Sequence, residues 1–249
     1  MAFPPVALLL AGDLLSNRAF PGQGEAAGGR AVVDSPAPEP TIMPHPDATI
    51  YAFHALYWAS FVSRLYGPRP PREDAVGGAT AAGPAGPATN DAPRTAPFSR
   101  AVFLPHMLGM TFVYLGIREA VFRREPLHPW FPHSRIVAAA TICLGAAVVV
   151  WTLLVFRSWR FRARIDPGHE LCTEGPFALL RNPIYLSMDL LALGSAIWLP
   201  TPFTVAGLAF VIAGGELRAR VEEKVLAEAF GSRYREYRAR VKRFIPGVY

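Results

Sequence analysis

Charged residues are scarce in this chain. They make up 18% of its 249 residues, whereas soluble domains carry roughly a quarter. Long apolar runs take their place: residues 136–156 contain no Lys, Arg, Asp or Glu, and neither do residues 101–117. Because about 20 apolar residues are enough to cross a bilayer, the composition excludes an ordinary soluble domain. It predicts a polytopic membrane protein.

Cysteine is nearly absent, and so are the common motifs of metal and phosphate chemistry. Cys143 lies in an apolar run and Cys172 in a polar loop, so the two are expected to stay unpaired. His169 and Cys172 are not accompanied by a second pair of His or Cys at metal-ligand spacing, and no metal site is predicted. The chain also lacks a glycine-rich phosphate loop, a G-x-S-x-G elbow and an H-E-x-x-H motif.

The net charge of +6 comes from arginines that flank the apolar runs. Arg157 and Arg160 follow one run, and Arg218 and Arg220 follow another. Flanks of this kind face anionic lipid headgroups in membrane proteins. No separate basic stripe with interleaved aromatic residues is present. We therefore predict the lipid bilayer as a partner and no nucleic acid.

Proline divides the chain, because 15 of the 25 prolines fall within the first 100 residues. Stretches rich in Pro, Ala and Gly cannot bury a core and are typical of linkers. The predicted organisation is a disordered or interfacial N-terminal segment over 1–47, a marginal first span over 48–66, a linker over 67–97 and a membrane domain over 98–249.

The stretch 182–215 contains a single charge, Asp189, and turns at Pro200–Thr201–Pro202. Each arm has roughly 16 residues, about 24 Å of helix, which is short of a 30 Å bilayer core. A tight helical hairpin with both ends on one side is expected. The tail after it is amphipathic and is interrupted at Gly231. The predicted fold is an all-α membrane helix bundle of about five spans, with this short hairpin and an amphipathic C-terminal helix.

The sequence "RNPIY", residues 181–185, opens the hairpin. Asn is a preferred helix N-cap and Pro is favoured at the first helical position, so Asn182 and Pro183 have a purely structural explanation. That explanation does not cover Asp189, which lies on the same helix face as Tyr185 and is costly inside an apolar span. Arg218 and Glu222 are four residues apart, and a surface ion pair worth less than ~1 kcal/mol would account for them. These residues are compatible with a purely structural role and with a functional site.

The order of these motifs resembles the isoprenylcysteine carboxyl methyltransferase family and the related phospholipid methyltransferases. In that family G-x-Y-x-x-x-R-H-P-x-Y precedes a helical hairpin, and E-E-x-x-L-x-x-x-F-G-x-x-Y-x-x-Y follows it. This chain has "EGPFALLRNPIYLS" before the hairpin and "RARVEEKVLAEAFGSRYREYRARVKRFIP" after it. The resemblance covers about 165–246.

The resemblance implies an integral membrane enzyme that moves a methyl group from S-adenosylmethionine to a lipid-like acceptor. It implies catalytic roles for Arg218 and Glu222. It also implies a cofactor pocket lined by His169, Glu170, Leu171, Cys172, Phe177, Arg181, Asn182, Pro183, Ile184 and Tyr185. Two positions depart from the family pattern: Asn182 stands where histidine is frequent, and Phe177 replaces a tyrosine.

Two acceptors are compatible with these residues. The preferred one is the carboxylate of an isoprenylcysteine-like substrate, small molecule or protein, which needs no general base. Arg218 would hold that carboxylate, and Arg181 or Asn182 the cofactor's own. An amine, as in phospholipid N-methylation, would require a base such as Glu222 or Glu223.

The alternatives outside this chemistry are a non-catalytic membrane scaffold with the same fold and, with little support, a membrane reductase using a nicotinamide cofactor. The cofactor site and the tail are expected to face the cytoplasm.

Overall fold

The structure, a computed structural model, describes residues 48–66, 94–95, 101–122, 129, 131–155, 164–165 and 171–249. The predicted N-terminal segment 1–47 lies outside the described residues, as does most of the predicted linker 67–97. His169 and Glu170 lie outside them too. The described part of the chain is almost entirely helical, which confirms the all-α class.

Six α-helices run through the described residues: α1 (Thr49–Tyr66), α2 (Leu104–Phe122), α3 (Ser134–Val155), α4 (Pro183–Trp198), α5 (Pro202–Phe230) and α6 (Ser232–Arg240). The 3-10 turn Ala101–Phe103 leads into α2, and the 3-10 turn Gly175–Ala178 precedes α4. Two short strands, β1 (Arg94–Thr95) and β2 (Arg164–Ile165), pair antiparallel. β1 falls within the predicted linker.

Three described helices are long and apolar enough to cross a membrane, namely α2 with its preceding turn, α3 and α5. The helix α4 is apolar but shorter, with 16 residues. Large apolar side chains point outward along α3 and α5, among them Ile136, Leu144, Phe203 and Ile212. Such a surface is stable in lipid and costly in water. The protein is therefore an integral membrane helix bundle, and the count of about five spans stays a prediction.

The helices α3 and α4 pack antiparallel at close range. A Cβ on Gly145 of α3 would lie 2.9 Å from the carbonyl oxygen of Ser187. A Cβ on Gly194 of α4 would lie 2.9 Å from the carbonyl oxygen of Ala138. Small residues at helix contacts let backbones approach in membranes, where apolar side chains gain nothing by leaving lipid. The start of α3 therefore lies beside the end of α4.

The helices α2 and α5 are joined by a second antiparallel contact. Gly109 and Gly116 of α2 face Gly207 and Thr204 of α5, and any Cβ at these glycines would come within 3.0 Å of the opposite helix. The contact continues at Gly214, which lies against the backbone of His106. These glycine contacts hold α5, the second arm of the hairpin, against α2.

The hairpin turns where the sequence predicts. Thr201 is the N-cap of α5: its hydroxyl oxygen accepts a hydrogen bond from the Thr204 amide, and the Thr204 hydroxyl oxygen accepts one from the Thr201 amide. One expectation differs from the structure, because α5 does not stop at the predicted boundary near Glu216. It continues for 29 residues to Phe230 and ends at Gly231, whose φ is +57°. Packing against α2 and α4 supports the helix through Gly214 and Gly215, where glycine would weaken an isolated helix.

The C-terminal segment, defined here as residues 241–249, returns to the start of the hairpin. The Arg181 amide donates to the Lys242 carbonyl oxygen at 2.8 Å, and the Asn182 amide donates to the Arg243 carbonyl oxygen at 3.1 Å. Before it, Tyr234 and Tyr237 of α6 are buried with Phe230 of α5. The tail is thus fastened over the hairpin entrance by backbone hydrogen bonds.

The helix α1 docks on the bundle through buried polar side chains. His54 Nε2 lies 2.9 Å from Ser195 Oγ, and Tyr57 Oη lies 2.8 Å from Ser187 Oγ. Phe53 also packs against Trp198, with ring centroids 5.4 Å apart. Hydrogen bonds of this kind stabilise helix association within a bilayer, typically by about 0.6 kcal/mol each. The predicted first span is therefore part of the bundle.

Candidate active site

Polar side chains gather where α4 begins beside the middle of α5. They form two groups, which we name after their central residues. The Tyr185 cluster consists of Tyr185, Arg218 and Glu222, and the Glu223 cluster consists of Arg181, Asn182, Glu223 and Arg243. Successive positions on α5, Glu222 and Glu223, thus point into different clusters.

The Tyr185 cluster is a closed triangle of hydrogen bonds. The Tyr185 hydroxyl donates to Glu222 Oε1 at 2.8 Å, and Arg218 Nε donates to the same carboxylate oxygen at 2.9 Å. Arg218 Nε also lies 3.1 Å from the Tyr185 hydroxyl oxygen, which accepts from it. Arg218 is buried, and its guanidinium lies 5.5 Å from the ring centroid of Phe103. The i,i+4 pair is therefore more than the exposed surface contact that the sequence allowed.

Asp189 lies one turn further along α4, on the face that carries Tyr185. Its Oδ1 atom is buried and has no hydrogen-bond partner among the described residues. Gly215 of α5 lies opposite it, and a Cβ on that glycine would lie 3.6 Å from Oδ1, an ordinary contact distance. A buried carboxyl oxygen without a partner is unfavourable and in native proteins calls for an explanation such as a ligand.

The Glu223 cluster surrounds one buried carboxylate with three donors. Arg181 donates to both oxygens of Glu223 at 3.2 Å, and Arg243 donates to both at 2.9 and 3.0 Å. Asn182 Nδ2 donates to Oε1 at 3.0 Å. Asn182 stands at the N-cap position of α4, as predicted, but its side chain makes no capping hydrogen bond. It links the start of α4 to α5 instead.

Arg243 extends this cluster toward the chain terminus. It forms an ion pair with Glu216, which also accepts from the Tyr249 hydroxyl at 2.9 Å. Its guanidinium lies 5.6 Å from the Tyr249 ring centroid. The hydrogen bonds to Glu223 raise the pKa of Arg243 further above its ordinary value, so this side chain stays charged. Arg243 thus binds the C-terminal segment to the middle of α5.

The other predicted pocket residues lie on the same side of the bundle. The Phe177 carbonyl oxygen accepts a hydrogen bond from the Tyr237 hydroxyl at 2.7 Å. Leu171 packs against the apolar cluster around Tyr237, and Pro183 and Ile184 are buried in the first turn of α4. Cys172 is half-buried and free, and burial raises the pKa of its thiol. His169 and Glu170 lie outside the described residues, so their roles stay predictions.

The contacts of Glu223 compete with two of the roles expected from the sequence. Arg181 and Asn182, proposed to bind a cofactor carboxylate, are here held by the carboxylate of Glu223. Glu223, one of the two candidate bases, accepts from two guanidinium groups and is stabilised in its ionised form. Glu222 is therefore the better placed of the two carboxylates. Sequence reasoning did not single out Arg243, although it stands within the quoted C-terminal motif.

Comparison with known proteins covers α4 and α5, the helices that carry most residues of both clusters. The family model described as phospholipid methyltransferase matches residues 133–233, from the start of α3 into α6. A probable protein-S-isoprenylcysteine O-methyltransferase of Oryza sativa subsp. indica is 27% identical over 150 residues, which are 57% of this chain and 76% of the rice protein. Protein-S-isoprenylcysteine O-methyltransferase B of Arabidopsis thaliana is 30% identical over 90 residues, 35% of this chain and 45% of the plant protein.

Residues 133–233 thus match the phospholipid methyltransferase family, and the chain is similar to isoprenylcysteine O-methyltransferases of rice and Arabidopsis. Together with the apolar helices, these matches support a membrane methyltransferase, whose chemistry implies a methyl donor. The matched stretch includes Arg181, Tyr185, Arg218, Glu222 and Glu223 but ends before Arg243. In this methyltransferase the C-terminal segment that follows the match completes the Glu223 cluster.

Proposed function

We propose that this methyltransferase transfers a methyl group from S-adenosylmethionine to the carboxylate of an isoprenylcysteine-like lipid at the membrane face. The observation that carries the proposal is the Tyr185 cluster, in which a tyrosine joins a buried cation to a half-buried carboxylate at the entrance of a membrane hairpin. The names of the rice and Arabidopsis relatives support O-methylation of an isoprenylcysteine.

The residues present fit such a donor. Asp189 Oδ1 is a buried acceptor with no partner among the described residues, and the amino and hydroxyl groups of S-adenosylmethionine could satisfy it. The chain's own candidates for holding the donor are Asn182 to Tyr185, Leu171, Cys172 and Phe177, with His169 and Glu170 assigned by the resemblance. Arg181 and Asn182 could bind the donor's carboxylate only if they gave up their hydrogen bonds to Glu223.

The proposed reaction depends on the positions of the methyl donor and the acceptor more than on proton transfer. When bound, S-adenosylmethionine supplies a methyl group on a positively charged sulfur. Arg218 would hold the acceptor carboxylate, while Tyr185 and Glu222 fix the orientation of its guanidinium. The buried setting excludes water from the opposite charges that are neutralised as the methyl group moves. No base is required, because a carboxylate acceptor is already ionised.

Phospholipid N-methylation is the second candidate, and two observations favour it. The matching family model is described as phospholipid methyltransferase. Glu222 is the only member of its cluster that can accept a proton near neutrality, and its side chain is 28% exposed. With an amine acceptor Glu222 would remove the proton that the nitrogen must lose. The two candidates share the donor and differ in the acceptor.

The site and the C-terminal segment are proposed to face the cytoplasm, where S-adenosylmethionine is made, with the acceptor arriving from the bilayer. A non-catalytic scaffold is the rival hypothesis. It predicts that the Tyr185 cluster binds no donor at all, which makes donor binding the measurement that separates the two.

The test begins with calorimetric titration of S-adenosylmethionine, and of its demethylated product, into purified protein in detergent. Methyl transfer is then assayed with an N-acylated S-prenylcysteine and with phosphatidylethanolamine as acceptors. Saturable binding and methylation of the prenylcysteine are expected. Binding with methylation of the amine alone would shift the assignment to the N-methyltransferase, and absence of binding in folded protein would favour the scaffold.

Variants sharpen this test. Tyr185→Phe removes the hydroxyl that joins Arg218 to Glu222, so kcat/KM is expected to fall about 10- to 100-fold. Glu222→Ala is expected to abolish turnover in a protein that still folds. Tyr234→Phe is the matched control, because that buried hydroxyl has no partner among the described residues and lies outside the cluster. Equal activity in Tyr185→Phe and Tyr234→Phe would contradict the proposed site.

A further inference from the structure

A cavity lies at the opposite end of the bundle from the Tyr185 cluster. Its volume is about 190 Å³, and it is formed where the start of α3 meets the end of α4. Ser134 and Arg135 of α3 and Trp198 of α4 line it, with Phe131 and Leu199 at its edges. It is large enough for several water-sized groups, since a water molecule takes about 30 Å³. The proposed methyl transfer does not use it.

Residues that line this cavity carry two buried polar atoms that have no hydrogen-bond partner within the described part of the chain. They are Ser134 Oγ and Trp198 Nε1, on side chains of residues that are only 1% and 9% exposed. An indole N–H can only donate, and a hydroxyl can donate as well as accept. Buried donors left unpaired are rare in native proteins and point to a ligand that accepts hydrogen bonds.

The electrostatic setting selects an anion. The cavity lies at the N-terminus of α3, a 22-residue helix whose positive dipole end and first amide groups favour negative charge. Arg135 adds a guanidinium in the first turn. His133, also at the cavity, has a φ of +66°, a backbone conformation that non-glycine residues rarely adopt. Among the residues that the structure describes, no Asp or Glu lines the cavity.

The position of the cavity along the bilayer normal indicates which anion it binds. The membrane span of α3 begins at Ser134 itself, so the cavity lies at the level where a bilayer's hydrocarbon core gives way to headgroups. Trp198, with its apolar body and N–H group, is typical of that level. Phosphate is the anionic group that every glycerophospholipid carries there, and free phosphate has the same acceptor oxygens.

We propose that this cavity is a phosphate site, held by Ser134, Arg135 and Trp198 at the membrane face opposite the Tyr185 cluster. The Ser134 hydroxyl and the Trp198 N–H donate to phosphate oxygens, and the Arg135 guanidinium neutralises their charge. A lipid headgroup is the expected source. The site would fix a lipid between α3 and α4, independently of what the other end of the bundle does.

The experiment uses the purified full chain in a non-ionic detergent, at constant ionic strength. Dioctanoyl phosphatidylglycerol is titrated while thermal unfolding is followed. Dioctanoylglycerol, which has the same tails without phosphate, and inorganic phosphate are titrated in parallel. The phospholipid is expected to raise the unfolding midpoint, and the phosphate-free lipid is not. Stabilisation by inorganic phosphate at similar concentration would assign the site to the free anion instead.

Three substitutions test the residues. Ser134→Ala, Arg135→Gln and Trp198→Phe are each expected to weaken binding about tenfold, the effect of losing one hydrogen bond to a charged group. Trp151→Phe is the matched control, on an indole that is 44% exposed elsewhere on α3. Arg135 lies on the surface, so its variant remains informative if Trp198→Phe fails to fold. Equal stabilisation by the phosphate-free lipid, or unchanged binding in Ser134→Ala and Arg135→Gln, would overturn the proposal.

Discussion

Glu222 and Glu223 follow one another on α5, yet their carboxylates meet different partners. Glu223 is 4% exposed and accepts from two arginines and an asparagine, so its lone pairs are occupied by structural contacts. Glu222 meets one arginine and one tyrosine and keeps part of its surface open. Glu223 therefore holds the C-terminal segment and the start of α4 against α5, whereas Glu222 remains available for chemistry.

Arg243 supplies the first prediction, because it holds Glu223 with two hydrogen bonds. Arg243→Ala leaves a buried carboxylate with one guanidinium fewer, and breaking such a pair typically costs about 3–5 kcal/mol. A value at the lower end is expected here, since Arg181 remains. Arg243→Lys should recover only part of the loss, because an ammonium group cannot form the two parallel bonds.

Thermal and denaturant unfolding in detergent would measure this loss. Arg235→Ala on α6 is the control, since that side chain is exposed. If Arg243→Ala unfolded at the same midpoint as Arg235→Ala, the Glu223 cluster would have no role in fastening the tail.

At the residue scale, the sequence predicted where side chains stand on the helices but not which side chains they contact. The sequence placed Asn182 at the helix N-cap because Asn before Pro has that local preference. It could not supply Glu223 as the partner of the side chain, since that contact spans 41 positions. Arg243 was overlooked for the same reason. A basic residue in a basic tail carries no local sign that it will meet a carboxylate 20 positions earlier.

The helices are held by glycines at particular contacts, and adjacent glycines on α5 make a matched pair. A Cβ on Gly214 would lie 2.5 Å from the His106 amide nitrogen, whereas one on Gly215 would lie 3.5 Å from its nearest neighbour. Gly214→Ala should therefore destabilise the protein by about 1–3 kcal/mol through overpacking against a backbone. Gly215→Ala should be neutral or slightly stabilising, because alanine favours helix.

The comparison is read from the unfolding midpoints of the two variants in one detergent. Equal midpoints would show that α2 and α5 can separate at Gly214 without loss, which would contradict the close contact described above.

The continuity of α5 was the main feature that sequence did not predict. The change from apolar to charged residues at Glu216 indicated a boundary. Tertiary packing on both sides of Gly214 and Gly215 overrides this local tendency. The hairpin turn itself was predictable, because Pro200, Thr201 and Pro202 set it by local geometry, and the Thr201 capping box confirms it.

The orientation of the whole molecule can be tested with its own cysteines. Cys172 lies at the end of the bundle that carries the Tyr185 cluster, and Cys143 is exposed in the middle of α3, where lipid is expected. A charged, membrane-impermeant maleimide should label Cys172 from the cytoplasmic side only, and Cys143 from neither side. Because burial raises the pKa of Cys172, its thiolate fraction is small at pH 7.

Labelling of Cys172 should accordingly become faster as the pH rises. Comparison of inside-out and right-side-out vesicles, with Cys143→Ser and Cys172→Ser as controls, would show the sidedness. Labelling of Cys172 exclusively from the outside would reverse the proposed orientation of the site and tail.

At the scale of the molecule, apolar run lengths were enough to predict a membrane helix bundle, because the bilayer fixes how long an apolar helix must be. They could not predict which helices touch. That depends on small residues such as Gly109 and Gly194, whose role is visible only once the opposite backbone is in place. The buried contacts of α1 through His54 and Tyr57 were hidden in the same way.

The unbroken helix α5 also has a mechanical consequence. Its 29 residues make a rod about 44 Å long, with one end at the hairpin turn among the lipids and the other beyond the Tyr185 cluster. A helix whose apolar part does not match the bilayer thickness responds by tilting. A tilt of only 5° about the turn would displace the far end of such a rod by about 4 Å. Activity of this methyltransferase should therefore vary with the acyl-chain length of the membrane around it.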